Sequence, residues 1–316
     1  AAGVVASIRH VFAASWGPRS EYILFCAVAA LLDHGAKRGG ASLMGVPRLF
    51  VDEAFRERVA RDCLDAKVRS FWLDEFPRYP ERLQSEAVAP LQNKLGQLLA
   101  VPALRNVLGQ VTSTIEPRTI LEKNRIFIAN LAKGRLGEQP SFLLGSLVLG
   151  AFAHAAMGRA AIAEEERRDF TLYIDEFQSF AAAEGFAAIL SEARKYRFSL
   201  GLFHQYLAQL PEETAAAVLG NVGTLVCFRV GEDDARVLSR IMGYSTETLA
   251  NLDRGEAIVR LLRYGRTIDP TMLYTRPDQA RPTGRGANIA AQSRVRYSRP
   301  REVVEGKIGR WLGGRG

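Results

Sequence analysis

Residues 170–180 read Phe-Thr-Leu-Tyr-Ile-Asp-Glu-Phe-Gln-Ser-Phe. A mostly apolar run ends in two adjacent carboxylates, Asp175 and Glu176. In open α/β sheets, ligands bind beyond the carboxyl ends of the strands, so an acid pair there faces the position where chemistry is done. One acid can hold Mg²⁺ through its water shell, because Mg²⁺ prefers hard oxygen ligands and gives up water reluctantly. The next can orient and polarise an attacking water. An Asp-Glu dipeptide also occurs as a plain solvated strand end, so the neighbouring residues have to decide.

Two neighbours bear on it. The run FSLGLFHQ (198–205) ends in His204 and Gln205. A Gln closing the strand beside the acid pair can hydrogen-bond a γ-phosphate or the lytic water, whereas His204 suits neutral core packing. Just before that run stand Arg194, Lys195 and Arg197. From spacing alone, Arg194 is a cation complementing a helix C-terminus; the alternative is an arginine that stabilises transition-state charge at a neighbouring subunit's nucleotide. Four apolar residues followed by Asp-Glu form the Walker B pattern of P-loop ATPases. Its usual companion is missing: no Gly-x-x-x-x-Gly-Lys-Ser/Thr occurs in the 316 residues, and that loop supplies the amides and Lys that cradle phosphate.

The elements that must position these residues change in texture along the chain. Residues 1–115 show helical periodicity and no alternation, with Pro77, Pro80 and Pro102 as breaks. From about 116, short apolar runs alternate with helical ones. Strands are expected at 125–131, 170–174, 198–205, 224–230 and 256–262, the last paired by 264–270. Helices are expected from Pro140 to about Arg159, over 184–196, over 211–221 and over 232–243. Continuous apolar strands alternating with helices predict a mainly parallel sheet covered on both faces. The uncharged stretch from Ser141 to Met157 is slightly short for a membrane span and reads as a buried helix of this α/β core.

Composition narrows the class. Apolar residues make up 47% and charged residues 24%, as in soluble globular proteins. Cys26, Cys63 and Cys227 are odd in number and widely spaced, which excludes a disulfide framework or a clustered zinc site and leaves reduced core cysteines. No secretory signal opens the chain. The first residues, Ala1 to Val5, read like the interior of a longer protein, so a fragment is expected. The net charge of +8 is uneven: residues 281–316 hold eight Arg and one Lys against two Glu, a net of +7. This basic stretch from 276 to 316 reads as a flexible tail suited to a phosphate backbone or an anionic lipid surface, or simply as a solvated end. Arg56, Arg58 and Arg61 interleave with Glu57 and Asp62 and read as a solvated helix face.

In order, RIFIANLAKGRLGEQPSFLLGSLV, LYIDEFQSFA, ILSEARKYRFSLGLFHQYLAQL and NVGTLVCFRVGEDDARVLSRIMG resemble the TraD/TraG-like coupling ATPases of conjugative type IV secretion, in the FtsK/HerA superfamily of hexameric DNA-pumping motors. The helical part resembles that group's insertion, and the likeness covers roughly 5–270. The resemblance implies a RecA-like P-loop NTPase core (116–275) carrying an all-α insertion (1–115). It makes Asp175 the Mg²⁺-associated acid, Glu176 the catalytic glutamate, Gln205 the sensor and Arg194 the arginine acting across a subunit interface. Lys133 and Gly134 match a loop to which no chemistry is assigned. It implies ATP and Mg²⁺ as cofactors, and DNA, further copies of the chain in a hexamer, and relaxosome or secretion proteins as partners. The location it implies is cytoplasmic, with inner-membrane attachment through an upstream segment. With no P-loop in the chain, weak nucleotide binding and no turnover are expected. A non-catalytic module that docks DNA-transfer partners is the competing reading, and a solitary helicase-like ATPase is a third.

Overall fold

The structure is a computed structural model that describes residues 1–180, 186–277 and 281–313. It divides into two compact units, residues 1–155 with 286–316, and residues 156–285.

The first unit is helical: α1 (Ala2–Val11), α2 (Pro18–Arg38), α3 (Gly45–Val51), α4 (Glu53–Arg61), α5 (Ala66–Ser70), α6 (Glu81–Ala100), α7 (Pro102–Leu108), α8 (Pro117–Glu122), α9 (Lys133–Leu136) and α10 (Glu138–Met157). Local signals set the boundaries. Pro18 opens α2 and left-handed Gly39 closes it, each at the end its backbone suits. The Asp52 carboxylate accepts the Phe55 N–H to cap α4, and Asp65 accepts the Lys67 N–H to start α5. The core gathers Ile23, Leu24, Leu49, Leu91 and Leu95 around Phe71, Trp72 and Phe76, with the Trp72 indole N–H bonded to the Cys26 carbonyl at 3.0 Å.

One ionic knot ties α2 to the end of α4. The buried Asp62 carboxylate meets Lys37 at 2.7 Å and Arg38 and His34 at 2.9 Å each. Arg38 and then Lys37, opposed by burial and aided by His34, hold its carboxyl well below the usual carboxylate range. The expected solvated arginine face of α4 needs correction at Arg56. Arg56 is buried, donates to the Leu49 carbonyl at 3.2 Å and lies over the Phe76 ring. Arg61 does pair at the surface with Glu57.

The second unit holds β1 (Phe170–Ile174), α11 (Phe186–Glu192), β2 (Phe198–Leu202), α12 (Glu212–Asn221), β3 (Leu225–Cys227), α13 (Glu232–Met242), α14 (Thr246–Ala250), β4 (Glu256–Arg260), β5 (Leu262–Arg263), β6 (Arg266–Thr267) and β7 (Thr271–Tyr274). The α/β order is as the apolar runs predict. β1 and β2 pair in parallel, while β3, β4 and β7 form an antiparallel sheet and β5–β6 a small hairpin. The expected strand over 125–131 does not form: it joins no ladder among the described residues, and Ile126 and Ile128 are 92% and 83% exposed. Apolar β-branched residues favour extended backbone, but a strand exists only where a neighbour accepts its hydrogen bonds. Glu184 and Gly185, expected to begin a helix, lie outside the described residues.

The chain then returns to the first unit as α15 (Gly286–Tyr297) and α16 (Arg301–Leu312). The expectation of a flexible tail is corrected for α16. Val304 and Ile308 are buried against Met44 and Leu99, with Trp311 packed beside them. Trp311 meets the Phe55 ring edge-on and lies under the Arg48 guanidinium. Gly109 permits this approach, since a Cβ there would fall 2.7 Å from Ile308. Leu143 of α10 joins the helical core, not the α/β core expected for it. Residues 138–161 are the one helix among those described that is long and apolar enough to cross a membrane. All three cysteines are buried and free, and burial pushes each thiol up to about 11.

Candidate active site

β1 ends at Ile174, so Asp175 and Glu176 leave its carboxyl end directly, both exposed. The parallel register pairs Ile174 with Leu202. Two further hydrogen bonds carry the ladder past the strands: Phe203 N–H to the Ile174 carbonyl at 3.1 Å, and Phe177 N–H to the Phe203 carbonyl at 2.9 Å. The acid pair is therefore stitched to the segment that leads to Gln205, and Gln205 emerges exposed three residues beyond β2 at the same end.

The turn is shaped by its neighbours. Glu176 is left-handed, with φ and ψ both 48°, a conformation costing a non-glycine residue about 1 kcal/mol. Its N–H donates to Asp175 Oδ1 at 3.0 Å. Phe177 holds the turn in place: fully buried, it stacks on Phe186 and meets the His204 ring edge-on at 5.1 Å. Burial lowers the His204 pKa, against a weaker opposite pull from Asp234. The imidazole is thus neutral near pH 7, which fits the packing role expected of it. On the opposite side, Tyr173 lies across Gly201, where a Cβ would come within 2.5 Å of the ring.

Sequence reasoning missed Asp234. This buried first-turn residue of α13 accepts the Leu207 N–H at 2.9 Å and so tethers the segment carrying Gln205. Its only trace in the sequence was the acidic start of α13, which also reads as ordinary dipole complementation.

Arg194 lies elsewhere. It is exposed and precedes β2, whereas the acids follow β1. A five-residue strand separates the two ends by about 16 Å. Arg194 makes no side-chain ion pair among the described residues; Lys195 and Arg197 approach Glu192 and Asp169 at 3.8 and 3.9 Å. Within one chain the arginine and the acids do not meet. Lys133 and Gly134 fall in α9 of the first unit.

The donor set fits a hydrated Mg²⁺ in part. Asp175 is open to solvent at a strand end, as a water-mediated ligand requires, and no group of three or more metal-binding side chains surrounds it among the described residues. A Mg²⁺ held by one or two carboxylates takes its other ligands from water and phosphate. The residues of this chain offer the acids and the Gln but no glycine-rich phosphate cradle.

Residues 169–257 match the family described as the TraM recognition site of TraD and TraG. That segment runs from β1 through Gln205 to β4. None of the curated proteins matches the chain. Among solved structures, the bacterial conjugative coupling protein TrwBdeltaN70 in an unbound form superposes with TM-score 0.62 at 14% identity, over 87% of this chain and 68% of that one. TrwB in complex with ADP and Mg²⁺ gives 0.61 at 15% identity, over 83% and 64%. TrwB with a non-hydrolysable GTP analogue gives 0.60 at 15% identity, over 87% and 68%. At such identities the likeness establishes the fold, a RecA-like core with a helical portion. Residues 169–257 thus match the TraD/TraG segment, and the chain as a whole is similar in fold to the TrwB coupling protein.

Proposed function

We propose that this chain is the catalytic-acid-bearing part of a conjugative coupling ATPase, in which ATP hydrolysis drives DNA transfer. The observation that carries this reading is the register of β1 and β2, which brings Asp175, Glu176 and Gln205 to one rim. Asp175 would hold Mg²⁺ through water, Glu176 would polarise the attacking water, and Gln205 would sense the γ-phosphate. Arg194, at the far rim, acts on the nucleotide of a neighbouring copy. The TrwB complexes with ADP and Mg²⁺ support ATP and Mg²⁺ as the cofactors. A ring of copies, a hexamer in this reading, is what an arginine acting in trans requires. The 316 residues alone turn over no ATP, because the phosphate cradle must come from a P-loop they do not contain. The protein works on the cytoplasmic side of the inner membrane, against DNA contacted through its backbone.

The test is DNA-stimulated ATPase activity of the protein carrying its P-loop, wild type against Glu176→Gln. The variant is expected to lose at least 100-fold in turnover while still binding nucleotide, in line with the loss of a general base. Turnover equal to wild type removes Glu176 from its role.

A second reading has its own support. The matched family is described as a recognition site for TraM, so the 169–257 segment would dock a relaxosome protein of that kind. Pull-down of a purified TraM-like partner by the Glu176→Gln variant tests this reading independently of catalysis: docking at wild-type strength is expected, and no docking by either protein removes the recognition role.

A further inference from the structure

α15 stands apart from the rest of the first unit. None of its 12 residues is buried. A helix of that length without a packed face is marginal in water, so its surface is left open to a partner. Its charge points to what that is. Between Arg281 and Arg301 the sequence has six arginines and no Asp or Glu. Arg294, Arg296 and Arg299 make no ion pair among the described residues. The nearest acid with a defined contact, Glu305, is already engaged by Arg301 at 2.8 Å and by Asn106 at 3.1 Å.

The stretch is also anchored. The Tyr297 carbonyl accepts the Thr114 hydroxyl at 2.6 Å, and its phenol oxygen accepts from Arg125 at 3.5 Å. Beyond it, α16 is seated in the helical core. Arg125 is thereby added to the cationic patch, beside an aromatic ring. Two arginines, Arg294 and Arg296, lie in the last turn of α15, where the helix dipole favours cations.

We propose that α15 and its flanks, with Arg294, Arg296 and Arg299 as the principal contacts, form a sequence-independent nucleic-acid-binding arm. Guanidinium groups pair bidentately with phosphate oxygens, and contacts to the backbone carry affinity without base preference. A membrane surface fits less well. An interfacial helix needs one continuous apolar face, but at about 100° per residue Val295 falls roughly 120° from Ile289 and roughly 160° from Tyr297, so the large apolar side chains share no face. The proposal extends the DNA-directed reading above to a particular surface and is measured without ATP, so its failure and that of the ATPase reading are told apart.

The experiment uses the 316-residue chain and fluorescence anisotropy with labelled 30-nucleotide single strands and 30-base-pair duplexes of random sequence, across a salt series. The triple variant Arg294→Gln, Arg296→Gln, Arg299→Gln is expected to bind at least 10-fold more weakly at low salt. Its log K against log salt slope should flatten by about 2–3, at 0.7–0.9 per lost phosphate contact. Because all three side chains are exposed, its melting curve should overlay that of wild type. The strand type with the larger loss identifies the ligand of the arm. Wild type that binds neither oligonucleotide, or a variant with wild-type affinity and slope, overturns the proposal. So does capture by phosphatidylserine vesicles in the absence of oligonucleotide binding.

Discussion

Phe177 has no exposed surface and fills the space between Phe186 and His204, so one ring supports the turn that presents both acids. Phe177→Ala is expected to cost about 3–5 kcal/mol, read as a shift in urea midpoint. Asp62 governs a different property. Its carboxyl is held low in the folded protein, chiefly by Arg38 and Lys37, so its contribution is complete above the ordinary value of about 3.9 and is lost as pH falls below it. Thermal melts from pH 7 to pH 2 should show wild type losing stability through the acid range. Asp62→Asn should be less stable than wild type at pH 7, with the gap narrowing as pH falls from about 4 towards 2. The acid pair and Asp62 differed in legibility. Asp175 and Glu176 announce themselves because their signal is local, an apolar run and then acids. Asp62 read as one more charge on a helix face, since its partners Lys37, Arg38 and His34 come from another helix and only the fold unites them.

α16 makes the same point for a whole element. Val304, Ile308 and Trp311 follow the i, i+4, i+7 spacing of a buried helical stripe, but the surrounding arginines and glycines gave the stretch the composition of a solvated tail. Ile308→Ala is expected to cost about 2–4 kcal/mol and to lower the emission of Trp311 as it loosens; unchanged melting and fluorescence would contradict the docked helix. Residues 125–131 err in the other direction. Their pattern is that of a strand, yet pairing depends on a neighbour that composition does not reveal. The match of β1 and β2 was readable from their apolar runs, whereas the link from Asp234 to the Leu207 N–H, 27 residues apart, was not. Asp234→Ala should leave the β1–β2 pair intact but speed amide exchange over 203–209 by about 10-fold, followed by mass spectrometry.

Among the described residues, the two units carry apolar clusters of unequal size. The helical unit concentrates 27 buried residues in one cluster, while the cluster built on α13, α14 and β4 has seven. Parallel sheets normally lie buried on both faces, yet Tyr173 of β1 is 71% exposed. Hydrogen exchange is expected to be faster over β1 and β2 than over α2 and α6, by at least 10-fold, reflecting their smaller apolar cover. Equal protection in the two units would mean that they unfold as one.

The seat of α16 on Met44 and Leu99 also sets an order of events during synthesis. The ribosome completes residues 44–99, then makes the entire second unit before Ile308 emerges, about 200 residues and on the order of 10–40 s later. Throughout that interval the apolar groove stands open on the nascent chain. A chaperone that shields it, or a copy of α16 donated by a polysome neighbour, would find its target then and not in the finished protein.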